Sequence, residues 1–129
     1  MKLMTTIAFF LISVSAFAGF NEIECQGNSG TKNVYLEIEQ PFPTSNVFKR
    51  MLLSVASNGA QENFQYTVTS RRYNGSNTIL YQDGGLRLQV DLWPDINPRW
   101  GRNYRAALNS SDLNNGAAAV LNCQFPNAN

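Results

Sequence analysis

The chain has 129 residues, with ten Lys and Arg against nine Asp and Glu, two cysteines and no histidine. A net charge near +1 argues against capture of nucleic acid by a basic stripe and supplies no polybasic handle for anionic lipid. Without histidine, Ser-His-Asp and Cys-His nucleophile systems cannot form, and zinc and iron lose their commonest ligand.

Residues 1–18 read as a secretory leader: Lys2 gives a basic start, Ile7 to Val14 an apolar run, and Ala16-Phe17-Ala18 the small-x-small pattern that predicts cleavage before Gly19. The run falls short of the roughly 20 apolar residues a permanent span needs. The expected organisation is therefore a leader over 1–18 and a single domain over 19–129, periplasmic or secreted. Loss of Lys2 leaves nine basic and nine acidic residues. In that compartment Cys25 and Cys123 are read as a disulfide. The loop it closes makes such a bridge worth about 4–5 kcal/mol in the chain-entropy model.

A first strand is predicted from Phe20 to Gln26, with Ile23 and Cys25 on one face, followed by a turn at Gly27-Asn28-Ser29-Gly30. Asn33 to Gln40 alternates, with Val34, Leu36 and Ile38 against Tyr35, Glu37 and Glu39, until Pro41 and Pro43 stop the ladder. Val47 to Ala56 admits a helix, because Val47, Met51 and Val55 are spaced by four, but its β-rich neighbours favour a strand ending at Ser57-Asn58-Gly59. Glu62 to Tyr73 places Phe64, Tyr66 and Val68 inward, and Asn74-Gly75 is a hairpin signal before a strand from Thr78 to Gln82. After a turn at Asp83-Gly84-Gly85, Leu86 to Trp93 alternates most clearly. A loop from Pro94 to Gly101, a strand from Arg102 to Leu108, a polar turn region from Asn109 to Gly116 and a strand from Ala117 to Phe125 complete the chain.

About eight short strands with one apolar face each indicate an all-β fold: a single antiparallel β-sandwich, or alternatively a small closed β-barrel. In either, the disulfide links the first and last strands, whose bridged Cα atoms must lie within about 7 Å.

The segment from Asp91 to Arg105 is the most distinctive, holding both tryptophans, two prolines and a cluster of arginines. Trp93, Asp95, Arg99, Trp100 and Arg102 are the candidate binding residues, since a proline-stiffened loop bearing Trp and Arg offers contact area at low entropic cost. The structural alternative, favoured because large aromatics commonly fill core ends, has both indoles capping the domain with the arginines paired to Asp91 and Asp95. Carboxylate pairs suited to acid–base work exist at Glu37/Glu39 and Asp91/Asp95, but Glu37 and Glu39 alternate with a core face and read as solvated. Arg71-Arg72-Tyr73 is a second, smaller candidate surface, but adjacent strand residues face opposite ways, so it reads as a solvated hairpin tip. Asn74-Gly75-Ser76 and Asn109-Ser110-Ser111 match the N-glycosylation pattern.

These observations lead to the expectation of a monomeric, non-enzymatic binding module without cofactor or metal. It would recognise a protein or glycan through the 93–105 loop, without binding nucleic acid or inserting into a membrane. The alternatives are an inhibitor presenting Pro41-Phe42-Pro43 or Asn97-Pro98-Arg99 to a protease or lytic enzyme, and a carboxylate-dependent hydrolase.

Overall fold

The computed structural model describes residues 20–40, 48–73, 77–113 and 118–128. These form eight antiparallel strands: β1 (Phe20–Ser29), β2 (Lys32–Gln40), β3 (Phe48–Ser57), β4 (Ala60–Arg72), β5 (Thr78–Gln82), β6 (Leu86–Asp91), β7 (Tyr104–Ser110) and β8 (Ala119–Gln124). Each strand pairs with its sequence neighbour and β8 returns to β1, so the sheet closes. The all-β expectation holds, and of the two architectures the barrel forms. Eight strands make a barrel whose interior side chains can just fill.

Alternation decides what fills it. Val34, Leu36 and Ile38 of β2, Met51, Leu53 and Val55 of β3, and Leu86, Leu88 and Val90 of β6 are all buried inside. Val47 to Ala56 is strand rather than helix, pairing residue for residue with β2 and β4. Its turn at Asn58 and Gly59 has φ of 52° and 80°, the left-handed region that Asn-Gly favours in a tight hairpin. The Asn74-Gly75 signal and its glycosylation pattern fall outside the described residues, although β4 and β5 pair on either side of it.

Several boundaries differ from the sequence expectation: β7 runs Tyr104–Ser110, so Asn109 and Ser110 are strand and not turn, and β4 and β8 shift by one to two residues. Two differences have a local physical reason. β1 continues through Gly27 to Ser29, and the turn begins at Gly30, whose φ is 62°. Gly27 lies on the inward phase where β1 crosses close to β8, and a Cβ there would collide with the Val120 carbonyl and approach Leu121 Cδ2 at 2.9 Å. It is a close-approach glycine, not a turn glycine. At the other boundary, β6 stops at Asp91, whose Oδ1 accepts from the Trp93 amide and turns the chain out of the ladder.

The disulfide joins Cys25 to Cys123, directly opposed residues of β1 and β8 with Cα atoms 4.0 Å apart. Both are buried on the inner face. The odd-numbered strands begin, and the even-numbered strands end, at the rim here called upper; the chain also leaves β8 there. β4 outruns β5: Thr69 to Arg72 pair with β5, whereas Ala60 to Val68 find their ladder partners among the described residues on β3 alone. Near the lower rim Tyr66 spans this seam, donating to Asp112 Oδ2 at 2.6 Å with Ser110 Oγ 3.3 Å away, and Leu113 is fully buried.

Candidate binding site

A β-bulge shapes the upper rim. The β1–β2 register shifts between Asn21 and Ile23, which frees Glu22 from strict alternation. Its carboxylate meets Lys49 Nζ from β3 at 2.5 Å and the Tyr81 hydroxyl from β5 at 2.6 Å. β1 and β5 lie opposite each other in an eight-strand barrel, so this bond crosses the interior. Burial, then the Glu22 carboxylate, pushes the Tyr81 hydroxyl well above the ordinary range. It therefore serves as a neutral donor that satisfies a carboxylate shared with one ammonium.

Above this cluster lies the β6–β7 connection, from Leu92 to Asn103. Leu92 is fully buried, worth about 2–3 kcal/mol of anchoring, and its amide donates to Asn77 O at 2.7 Å. The Trp93–Pro94 peptide bond is cis. Asn77 Nδ2 donates to Asp95 O, while Arg72 donates to Ile96 O and to Asn97 Oδ1. The Tyr104 hydroxyl oxygen accepts a hydrogen bond from the Arg99 amide at 3.0 Å and its O–H donates to Asp95 Oδ2 at 2.6 Å, with Arg102 Nε 3.4 Å from the same oxygen. Burial, then the bond to Asp95, raises the Tyr104 pKa. Asp95 thus holds the loop together, and the loop is fixed to β4, to Asn77 just before β5, and to β7.

Between this loop, the barrel end and the C-terminal tail is an open cleft of about 820 Å³. Glu22, Ile79 and Phe125 line it from the barrel and tail, and the run from Pro94 to Arg99 forms its wall. Gln40, Asn127 and Ala128 complete the lining. Asn127 Nδ2 donates to Asn21 O, and Phe125 meets Tyr104 edge to face at 5.8 Å, so the tail is also held.

The five residues singled out in the sequence separate into two groups. Asp95, Arg99 and Arg102 gather around the Tyr104 hydroxyl, the arginines through one backbone amide and one ion pair. Trp93 and Trp100 are 72 % and 71 % exposed and do not cap the core; Tyr81, Leu92, Tyr104 and Phe125 are among the large side chains buried at that end. Trp93 immediately precedes, and Trp100 immediately follows, the run that lines the cleft.

Three readings change. Glu39 is not solvated: it is 4 % exposed and takes two bonds from Arg50, its cross-strand neighbour. Arg72 is more than a solvated hairpin tip, because it tethers the loop, while Arg71 lies over the Tyr73 ring on the opposite phase. Asp91 and Asp95 have separate local partners, the Trp93 amide and the Tyr104–Arg102 pair. Pro41-Phe42-Pro43 falls outside the described residues.

Glu22, Lys49 and Tyr81 were not anticipated at the site, and Arg72 and Phe125 were expected only as a hairpin-tip residue and a core-face residue. Lys49 and Arg72 carried a signal, since each continues the apolar phase of its strand as a charge. Glu22 carried none, because the bulge re-aims it. Among the described residues no group of three or more His, Cys, Asp or Glu could hold a metal.

The chain matches no protein family model, no curated protein and no solved structure. Its chemistry therefore rests on this geometry alone.

Proposed function

We propose that the protein is an exported, non-enzymatic binding module that engages its partner at the upper rim, through the loop from Trp93 to Arg105 and the cleft beside it. The observation that carries this reading is the combination of a tethered backbone with exposed large apolar side chains. Trp93, Ile96 and Trp100 are each more than 70 % exposed. Contact area presented on a preorganised loop is how recognition surfaces limit the entropic cost of binding. Phe48 and Tyr73, also exposed, belong to the same rim.

The barrel wall supports the choice of the rim. A barrel that crosses a bilayer turns an apolar band outward around a polar lumen. Here the apolar phase faces inward, and the outer phase carries Gln26, Asn28, Gln65, Thr67, Arg87 and Asn122. Export to an oxidising compartment agrees with the disulfide.

The inhibitor alternative finds less support. A substrate-like loop must offer extended main chain, whereas the Arg99 amide bonds Tyr104 and its carbonyl accepts from Arg102 at 3.4 Å. The test is capture from the producing cell's envelope with immobilised protein. Trp93→Ala and Trp100→Ala should each abolish capture while leaving stability within the about 0.5 kcal/mol typical of surface substitutions. Undiminished capture by both variants would remove the loop from the binding surface.

A further inference from the structure

The cleft's polar groups are unequally committed. Glu22 uses both carboxylate oxygens on Lys49 and Tyr81, and Asp95 Oδ2 is held by Tyr104 and Arg102. The cleft's acids are therefore neutralised from inside the barrel and the loop. Asn97 Oδ1 is taken by Arg72, which leaves its Nδ2. The Arg99 guanidinium, on an exposed side chain, and the Gln40 amide have no partner among the described residues. The cleft lining thus carries uncommitted side-chain donors on Arg99, Gln40 and Asn97, one of them a forked cation, together with the part-exposed apolar Ile79 and Pro98.

Half of the wall's carbonyls, by contrast, are already used. The carbonyls of Asp95, Ile96 and Arg99 accept from Asn77, Arg72 and Arg102. An extended peptide would find few of the consecutive backbone partners on which such recognition depends. Rings edged with acceptors fit better, because they need flat apolar faces and side-chain donors. A guanidinium with no carboxylate partner matches a ligand carboxylate in two parallel bonds.

We infer that the upper cleft binds an acidic oligosaccharide. Arg99 holds its carboxylate, Gln40 and Asn97 its hydroxyls, and the flanking indoles stack on the sugars that project beyond the cleft. This inference rests on the reading of the upper rim as a recognition surface and adds the chemistry of the ligand.

The experiment is an array of immobilised galacturonate, glucuronate, sialic-acid and muramic-acid oligomers, each beside its carboxyl-reduced counterpart, probed with the disulfide-bonded protein. At least one acid form should bind saturably, and its reduced form about tenfold more weakly. Arg99→Ala should bring the acid form down to the level of the reduced one without changing binding of the reduced form or the melting temperature. Gln40→Ala should weaken both. Equal binding of acid and reduced forms, or binding to no oligomer, overturns the inference. If no oligomer binds but envelope capture is lost in Trp100→Ala, the recognition surface stands and the glycan falls. If capture also survives in both tryptophan variants, both readings fall.

Discussion

Glu37 shows how one residue can work against the fold that holds it. It lies on the outer phase of β2, directly opposite Glu24, with Asn21 Nδ2 at 3.1 Å and the Tyr35 hydroxyl at 3.2 Å from its Oε2. Burial raises its pKa; the bonds from Tyr35 and Asn21 pull it down, and the charges of Glu24 and Glu39 push it up again, with the net shift upward. A raised carboxyl pKa contributes stability below the ordinary value of 4.5 and loses it as pH rises through the folded value. At pH 7 the ionised group is therefore a net cost. Glu37→Gln, which keeps an acceptor for both donors, should raise the melting temperature at pH 7, and the gain should vanish in acid. A lower melting temperature at pH 7 would show that the two bonds outweigh desolvation and like-charge repulsion. The alternation of β2 made the outer position of Glu37 legible, but not its burial, which depends on β1 and its bulge.

At the scale of elements, β1 and β8 carry the closure. Cys25 and Cys123 face each other across their ladder, and Gly27 lets the backbones approach two residues further on. The bridge removes a long loop's freedom from the unfolded chain. Replacing both cysteines with alanine should cost about 2–5 kcal/mol in denaturant unfolding; an unchanged midpoint would mean that the β1–β8 ladder suffices alone. The strands themselves were largely legible, because a period of two with turn residues between the runs has few other solutions. The turn at Gly27 was misread because a glycine that permits close approach looks, in one dimension, like one that permits a bend. The loop between β6 and β7 was legible as distinctive, yet its anchors were not. Arg72, Asn77 and Tyr104 come from three different strands or turns.

For the whole molecule, tyrosines tie both ends of the barrel. Tyr81 crosses the upper end to Glu22, and Tyr66 crosses the seam near the lower rim to Asp112. Burial and the Asp112 bond push the Tyr66 pKa up to about 12, and burial pushes those of Tyr81 and Tyr104 up as well. A tyrosine pKa raised by folding contributes stability below its ordinary value of 10 that is lost as pH climbs through the folded value. The protein should lose stability steeply between pH 10 and about 12, with tyrosinate absorbance appearing together with loss of the barrel's circular dichroism. Ionisation of these three tyrosines near pH 10 without unfolding would show that the ends are not closed in this way.

The sequence by itself determined the strands, their inward faces and the inward pairing of Cys25 with Cys123, because alternation and turn chemistry are local. It also marked Trp93 to Arg105 as exceptional. Tertiary structure alone decided barrel over sandwich, because alternation states which face of a strand is buried but not which strand lies beside it. It also decided the exposure of the indoles and the cleft itself. Glu22, Ile79, the run from Pro94 to Arg99 and Phe125 share one rim because pairing β8 with β1 closes the sheet and brings the first and last strands round to face the middle ones.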